Sequence, residues 1–167
     1  MKRFLHLFSA LCLLFALTGC TLLESNEAYV ARQLSCRLPN AQCTLFADSH
    51  GGFHGDGDTL AILRFEDGAA AADRMRGAGW HNYPLPEALE AELFGRETAQ
   101  ERSGGWLREK FGLYPEITDG KWYFKNRQDG AADPYAVSGL ANAYSYNYTA
   151  ALYNADTGIL YYIEMDT

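Results

Sequence analysis

The stretch Asp48-Ser49-His50-Gly51-Gly52-Phe53-His54-Gly55-Asp56-Gly57-Asp58 gathers two histidines, three carboxylates and four glycines into eleven residues. Neutral imidazole is a ligand for zinc and other transition metals, and carboxylates complete such shells. His50, His54, Asp56 and Asp58 are therefore the candidate metal ligands, with His81 as a further nitrogen from elsewhere in the chain. The glycines leave the backbone free to fold so that these side chains converge. The spacing is not that of a helical zinc site, because Gly51-Gly52-Phe53 does not make a helix. It also lacks the order of acids and the distal Glu of a calcium loop. The same residues make an ordinary solvated hairpin loop, in which Gly supplies positive φ and Asp caps turns. A third reading uses the glycine backbone as a nest for an anion or another chain, but Asp56 and Asp58 disfavour a phosphate there.

Other chemistry has less behind it. There is no Gly-x-Ser-x-Gly elbow, and Ser49 beside His50 is only a sequence neighbour. The carboxylates Glu87, Glu90 and Glu92 read as a solvated helix face. The tyrosines form a competing site. Seven of the eleven lie between Tyr135 and Tyr162. Tyr144, Tyr146 and Tyr148 alternate with Ser145, Asn147 and Thr149, so all three can line one strand face. Tyrosine offers large, rigid contact area with a polar tip, suited to an envelope protein or a glycan. It is also simply a good strand residue over a half-buried face.

The elements that position these residues are legible in part. The loop runs into Thr59–Phe65, apolar on both faces, which reads as a central strand covered on both sides. A short strand, 44–47, precedes it. Ser25 is an N-cap and Glu27 a first-turn acid for a helix from Asn26 to about Ser35. Asp67 caps a second helix over 69–76. Pro86 opens a third, with Leu85, Leu89 and Leu93 as its stripe and Gly95 as its stop. Residues 96–105 read as a surface loop and 106–113 as a short helix. Lys121–Asn126 is a strand, 127–135 a loop, and 145–154 with 159–165 a C-terminal β-hairpin. The expected fold is α+β: one domain over 26–167, with a mostly antiparallel sheet of four to six strands and helices packed on one face.

The N-terminus carries an address. Lys2 and Arg3 precede an apolar run, Phe4 to Leu17, too short to span a bilayer. It ends Leu17-Thr18-Gly19-Cys20, which resembles a bacterial lipobox, so the chain is similar to lipoprotein precursors. That resemblance implies removal of residues 1–19, lipidation of Cys20, a tether over 20–25 and effectively permanent anchoring. The expected location is the extracytoplasmic side of the cell membrane. Thr21, rather than Asp, after the cysteine implies the outer membrane in a host that has one. Removing nineteen of 167 residues leaves 148 and moves the net charge from −7 to −9. So acidic a chain does not fit nucleic acid as partner. Cys36 and Cys43 remain after processing. In an exported chain such a pair is expected to close a disulfide of about 2–3 kcal/mol; thiols or metal thiolates are the alternatives.

The pieces His50-Gly51-Gly52-Phe53-His54-Gly55-Asp56-Gly57, Trp122-Tyr123-Phe124-Lys125-Asn126-Arg127 and Tyr144-Ser145-Tyr146-Asn147-Tyr148-Thr149 through Thr167 are similar to segments of small uncharacterised bacterial proteins. That resemblance implies no activity, cofactor or ligand. The expected function is a lipid-anchored binding or accessory domain without a cofactor. The alternative is a metal-dependent activity, with zinc or a similar ion, at the His50–Asp58 loop.

Overall fold

Strand β2 (Gly57–Arg64) lies inside the sheet and is paired on both edges. On one side it meets β1 (Gln42–Asp48), with Asp48 opposite Thr59 and Phe46 opposite Ala61. On the other it meets β8 (Ile159–Asp166), with Gly57 opposite Asp166 and Arg64 opposite Ile159. The sheet continues through β7 (Asn147–Asn154), β6 (Gly120–Asn126) and β3 (Trp80–Asn82), in the order β1-β2-β8-β7-β6-β3. Every adjacent pair is antiparallel, and β7 and β8 form the C-terminal hairpin. This computed structural model describes residues 24–51, 55–97, 102–143 and 145–167.

Alternation along the strands divides the core in two. Ala61, Leu63, Tyr123, Ala151, Tyr153, Leu160 and Tyr162 face one way, under Val30 of helix α1 (Asn26–Gln33), its C-cap Leu34 and Ala71 of helix α2 (Gly68–Arg74). Leu60, Trp122, Phe124, Tyr148, Ala150, Leu152 and Ile163 face the other way. Leu89 and Leu93 of helix α3 (Glu87–Phe94) and Leu107 of helix α4 (Trp106–Phe111) cover them. The α+β class and the six-stranded antiparallel sheet match expectation. The helices do not all pack on one face. They cover both, because the central strands are apolar on both faces and neither could be left in water.

The helix ends follow their local signals. Ser25 Oγ accepts from the Ala28 N–H at 3.2 Å, and Asp67 Oδ1 accepts from the Ala70 N–H at 2.9 Å. Gly112, at φ +65°, closes α4 in the left-handed conformation. The connection expected to be a surface loop at 96–105 holds structure, and a further short element lies where none was expected. Gly95–Glu97 (β4) and Arg102–Gly104 (β5) form a separate two-stranded ribbon, and Val137–Asn142 is a 3-10 helix. The expected Cys36–Cys43 bond is absent: both are free thiols packed against the α1-side core. Cys43 Sγ instead donates to the Leu45 carbonyl at 3.1 Å, and burial pushes the Cys36 thiol up to about 11. Among the described residues no helix is long and apolar enough to cross a membrane.

Candidate functional site

One end of the sheet concentrates the charged residues. There β1 ends at Asp48, β2 begins with Gly57-Asp58-Thr59, β8 ends with Glu164-Met165-Asp166 and β6 passes into Arg127. Register places Asp48, Thr59, Glu164 and Asp166 on the α1 face. The chain after β1 folds back, held by Ser49 N–H donating to the Asp58 carbonyl at 2.9 Å. His50 thereby lands over the strand ends. A Cβ on Gly57 would lie 2.7 Å from His50 Cα, so the approach requires glycine there.

The contacts form one chain of charges. His50 Nδ1 lies 2.5 Å from Asp48 Oδ1, and Nε2 lies 3.0 Å from Asp166 Oδ2. Thr59 Oγ1 donates to Asp48 Oδ1 at 3.1 Å. Arg127 joins the other side. Its Nη2 is 2.7 Å from Asp166 Oδ1 and its Nη1 is 2.5 Å from Glu164 Oε1. Glu164 is only 3% exposed, and Tyr29 and Tyr162 hydroxyls both donate to its Oε2, at 2.5 and 2.6 Å. Both nitrogens of His50 and both oxygens of Glu164 and Asp166 are thus engaged. Arg127 Nε and Asn147 Oδ1 are buried without a protein partner among the described residues.

Protonation follows from the partners. Ionised carboxylates only accept, so two of them facing one imidazole require both ring nitrogens to donate. Burial alone would lower the His50 pKa; the hydrogen bonds to Asp48 and Asp166 outweigh it and hold the pKa above its ordinary value. Burial likewise opposes ionisation of Asp48, but the His50 ring wins and keeps that carboxyl low. Burial and the Glu164 charge push the Tyr29 and Tyr162 hydroxyls up, so both remain donors. The cluster is a closed network of ion pairs rather than a free acid, base or nucleophile.

The nominated metal ligands are not assembled into one site. His50 offers no free nitrogen. Asp58 turns to the opposite face, where Trp106 Nε1 donates at 2.9 Å, Lys110 Nζ at 2.6 Å and Ser49 Oγ at 2.6 Å. Asp56 is exposed, His54 lies outside the described residues, and His81 stacks on Trp122 at 4.2 Å. Among the described residues no three His, Cys, Asp or Glu side chains are grouped as metal ligands.

The tyrosine face is also rearranged. Tyr148 is 1% exposed, packs 5.7 Å from the Phe124 ring and donates to Glu92 Oε1 at 3.3 Å. It belongs to the core because α3 and the 3-10 helix cover that face of β7. Tyr146 is half-buried, its ring meeting that of Tyr148 edge-on with centroids 6.0 Å apart, and Tyr144 lies outside the described residues. Tyr146 lines a cleft of about 130 Å³ together with Asn126, Gln128, Leu140 and Ser145. Gln128 Nε2 already donates to Ser145 O at 2.7 Å and to its Oγ at 3.0 Å. Burial raises the Glu92 carboxyl pKa, against the hydrogen bonds from Tyr148 and Tyr146.

Residue types and spacing do not single out Arg127, Glu164 and Asp166. A signal existed: Glu164 interrupts the apolar positions Leu160 and Tyr162 on the buried face of β8. A carboxylate in such a position must have a cationic partner. Compared with known proteins, the chain matches no family model, no curated protein and no solved structure.

Proposed function

We propose that this chain is a lipid-anchored binding or accessory domain, displayed on the extracytoplasmic side of a bacterial membrane and on the outer membrane where the host has one. The observation that carries a binding role over catalysis is the saturation of the charged cluster. His50, Glu164 and Asp166 spend their polar atoms on one another and on Arg127, Tyr29 and Tyr162, which makes a rigid frame. The address comes from the N-terminal sequence ending Leu17-Thr18-Gly19-Cys20. A tether of five residues between Cys20 and Asn26 spans at most about 18 Å, so the domain works close to the membrane surface.

Two measurements test this. Globomycin is expected to retain the precursor size with the palmitate label still on it, and Cys20→Ala to abolish labelling with radioactive palmitate; an unchanged mature size under globomycin would refute lipidation. Crosslinking in the native cell is expected to trap a discrete envelope partner. Turnover of envelope substrates by the purified protein, lost on Glu164→Gln at preserved folding, would refute the non-catalytic reading.

A further inference from the structure

A groove on the α3 and α4 side has a chemistry the charged cluster lacks. One wall is the β3–α3 connection and α3 itself, with Tyr83, Leu85, Glu90 and Phe94. The other is the extended chain after α4, with Tyr114 and Glu116. Its volume is about 380 Å³, at the small end of the range for ligand sites. Both walls are tied to the sheet. Tyr83 N–H donates to the Gly120 carbonyl at 3.2 Å, and Asn154 Nδ2 donates to the Glu116 carbonyl at 3.1 Å. The groove is therefore formed in advance, so a ligand need not pay for ordering it.

Its surface combines three features. Tyr114 is 53% exposed, a rare state for a large apolar side chain in this molecule, and its ring meets Phe94 edge-on at 4.9 Å. Pro84 and Pro115 stiffen opposite walls. The charged side chains lining the groove are the exposed Glu90 and Glu116, and among the described residues no Lys or Arg lines it. Nearby, the Arg108 guanidinium already sits 5.1 Å from the Tyr114 ring centroid, a cation–π contact that shows what this ring accepts.

We propose that this groove binds an extended, proline-containing segment of a partner protein that carries lysine or arginine. The inference rests on the binding-domain reading and adds the chemistry of the partner. Extended polyproline-type chains dock between aromatic rings because their conformation is already restricted, and a cation between Glu90 and Glu116 sets position and direction. The exposed carboxylates steer such a segment from solution, with a strong dependence on salt.

The test uses the full-length protein in detergent and a fluorescein-labelled peptide of alternating proline and arginine, read by fluorescence anisotropy. Binding is expected, with affinity falling about tenfold in the double variant Glu90→Gln/Glu116→Gln and by several-fold in Tyr114→Ala. Asp73→Asn, an exposed acid beyond the groove, is expected to bind like the parent. Circular dichroism checks that each variant is folded. Equal loss in the Asp73 variant would overturn the proposal, since attraction would then follow net charge alone. So would undiminished binding by the double variant, or competition by spermidine at the same midpoint as the peptide. Self-association abolished by the double variant would assign the groove to a second copy and also overturn it. Failure of the peptide alongside a trapped envelope partner would sink the groove while leaving the binding-domain reading intact.

Discussion

Replacing Arg127 by Met is the sharpest probe of the charged cluster. Arg127 is the cation that reaches both Glu164 and Asp166, at 2.5 and 2.7 Å, and its side chain is 24% exposed against 5% for Glu164. Methionine preserves most of the stem and removes the charge. Glu164 is then a buried carboxylate with two tyrosine hydroxyls and no cation, and breaking such a pair costs about 3–5 kcal/mol. A domain of this size has about 5–15 kcal/mol in total, so the variant should sit near the edge of folding. Glu164→Gln should cost less, about 2 kcal/mol, because the amide oxygen still accepts from Tyr29 and Tyr162 while Arg127 retains Asp166. The double variant should lose less than the two singles added together, by at least about 1 kcal/mol, because the stranded charge is gone. Urea unfolding, followed by the fluorescence of Trp80, Trp106 and Trp122, measures all four proteins. A loss below about 1 kcal/mol for Arg127→Met, or strict additivity in the double variant, would refute the network as a source of stability.

Further outcomes follow from the same geometry. His50 has its folded pKa raised above an unfolded value near 6.5, so its ion pairs contribute fully below about pH 6.5 and fade as pH rises through the raised value. Asp48, held low, contributes above its unfolded pKa and loses that contribution on the acid side. His50→Gln should therefore cost about 1 kcal/mol at pH 6, after allowance for the exposure of Asp48, and only a few tenths at pH 9; a pH-independent difference in melting curves would contradict this. Tyr148→Ala should cost about 3–5 kcal/mol as a core truncation, whereas Tyr146→Ala should cost under about 1 kcal/mol; equal losses in urea would show the two to be in similar surroundings. Iodoacetamide at pH 8 should modify Cys43 before Cys36, whose thiol is pushed up to about 11 by burial. Mass spectrometry that finds Cys36 modified first would contradict its burial.

Much of the site was visible only as fragments. The loop at His50 stands out for its clustered ligand types, but clustering in sequence does not set which way the side chains turn. Asp48 and Asp58 bracket the loop, yet one ties to His50 on the α1 face and the other to Lys110 and Trp106 on the opposite face. Strand alternation decides that division, and it depends on register. The tyrosine face failed for a related reason. Of the three, Tyr144 lies outside the described residues and Tyr146 precedes β7, while Tyr148 is in β7 and is covered by the preceding 3-10 helix and by α3, which comes from distant chain.

The sequence by itself determined the local structure: the caps at Ser25 and Asp67, the stop at Gly95, the two-faced apolar strand at Thr59–Phe65 and the C-terminal hairpin. Each depends on residues within a few positions of one another, where propensity and hydrogen bonding act directly. Tertiary structure alone decided the strand order, the split of the helices between two faces and the partners of the buried charges. His50 and Asp166 are 116 positions apart, and Tyr29 and Glu164 are 135 apart. Such contacts are set by which strands pair and in what register, a property of the whole chain's packing.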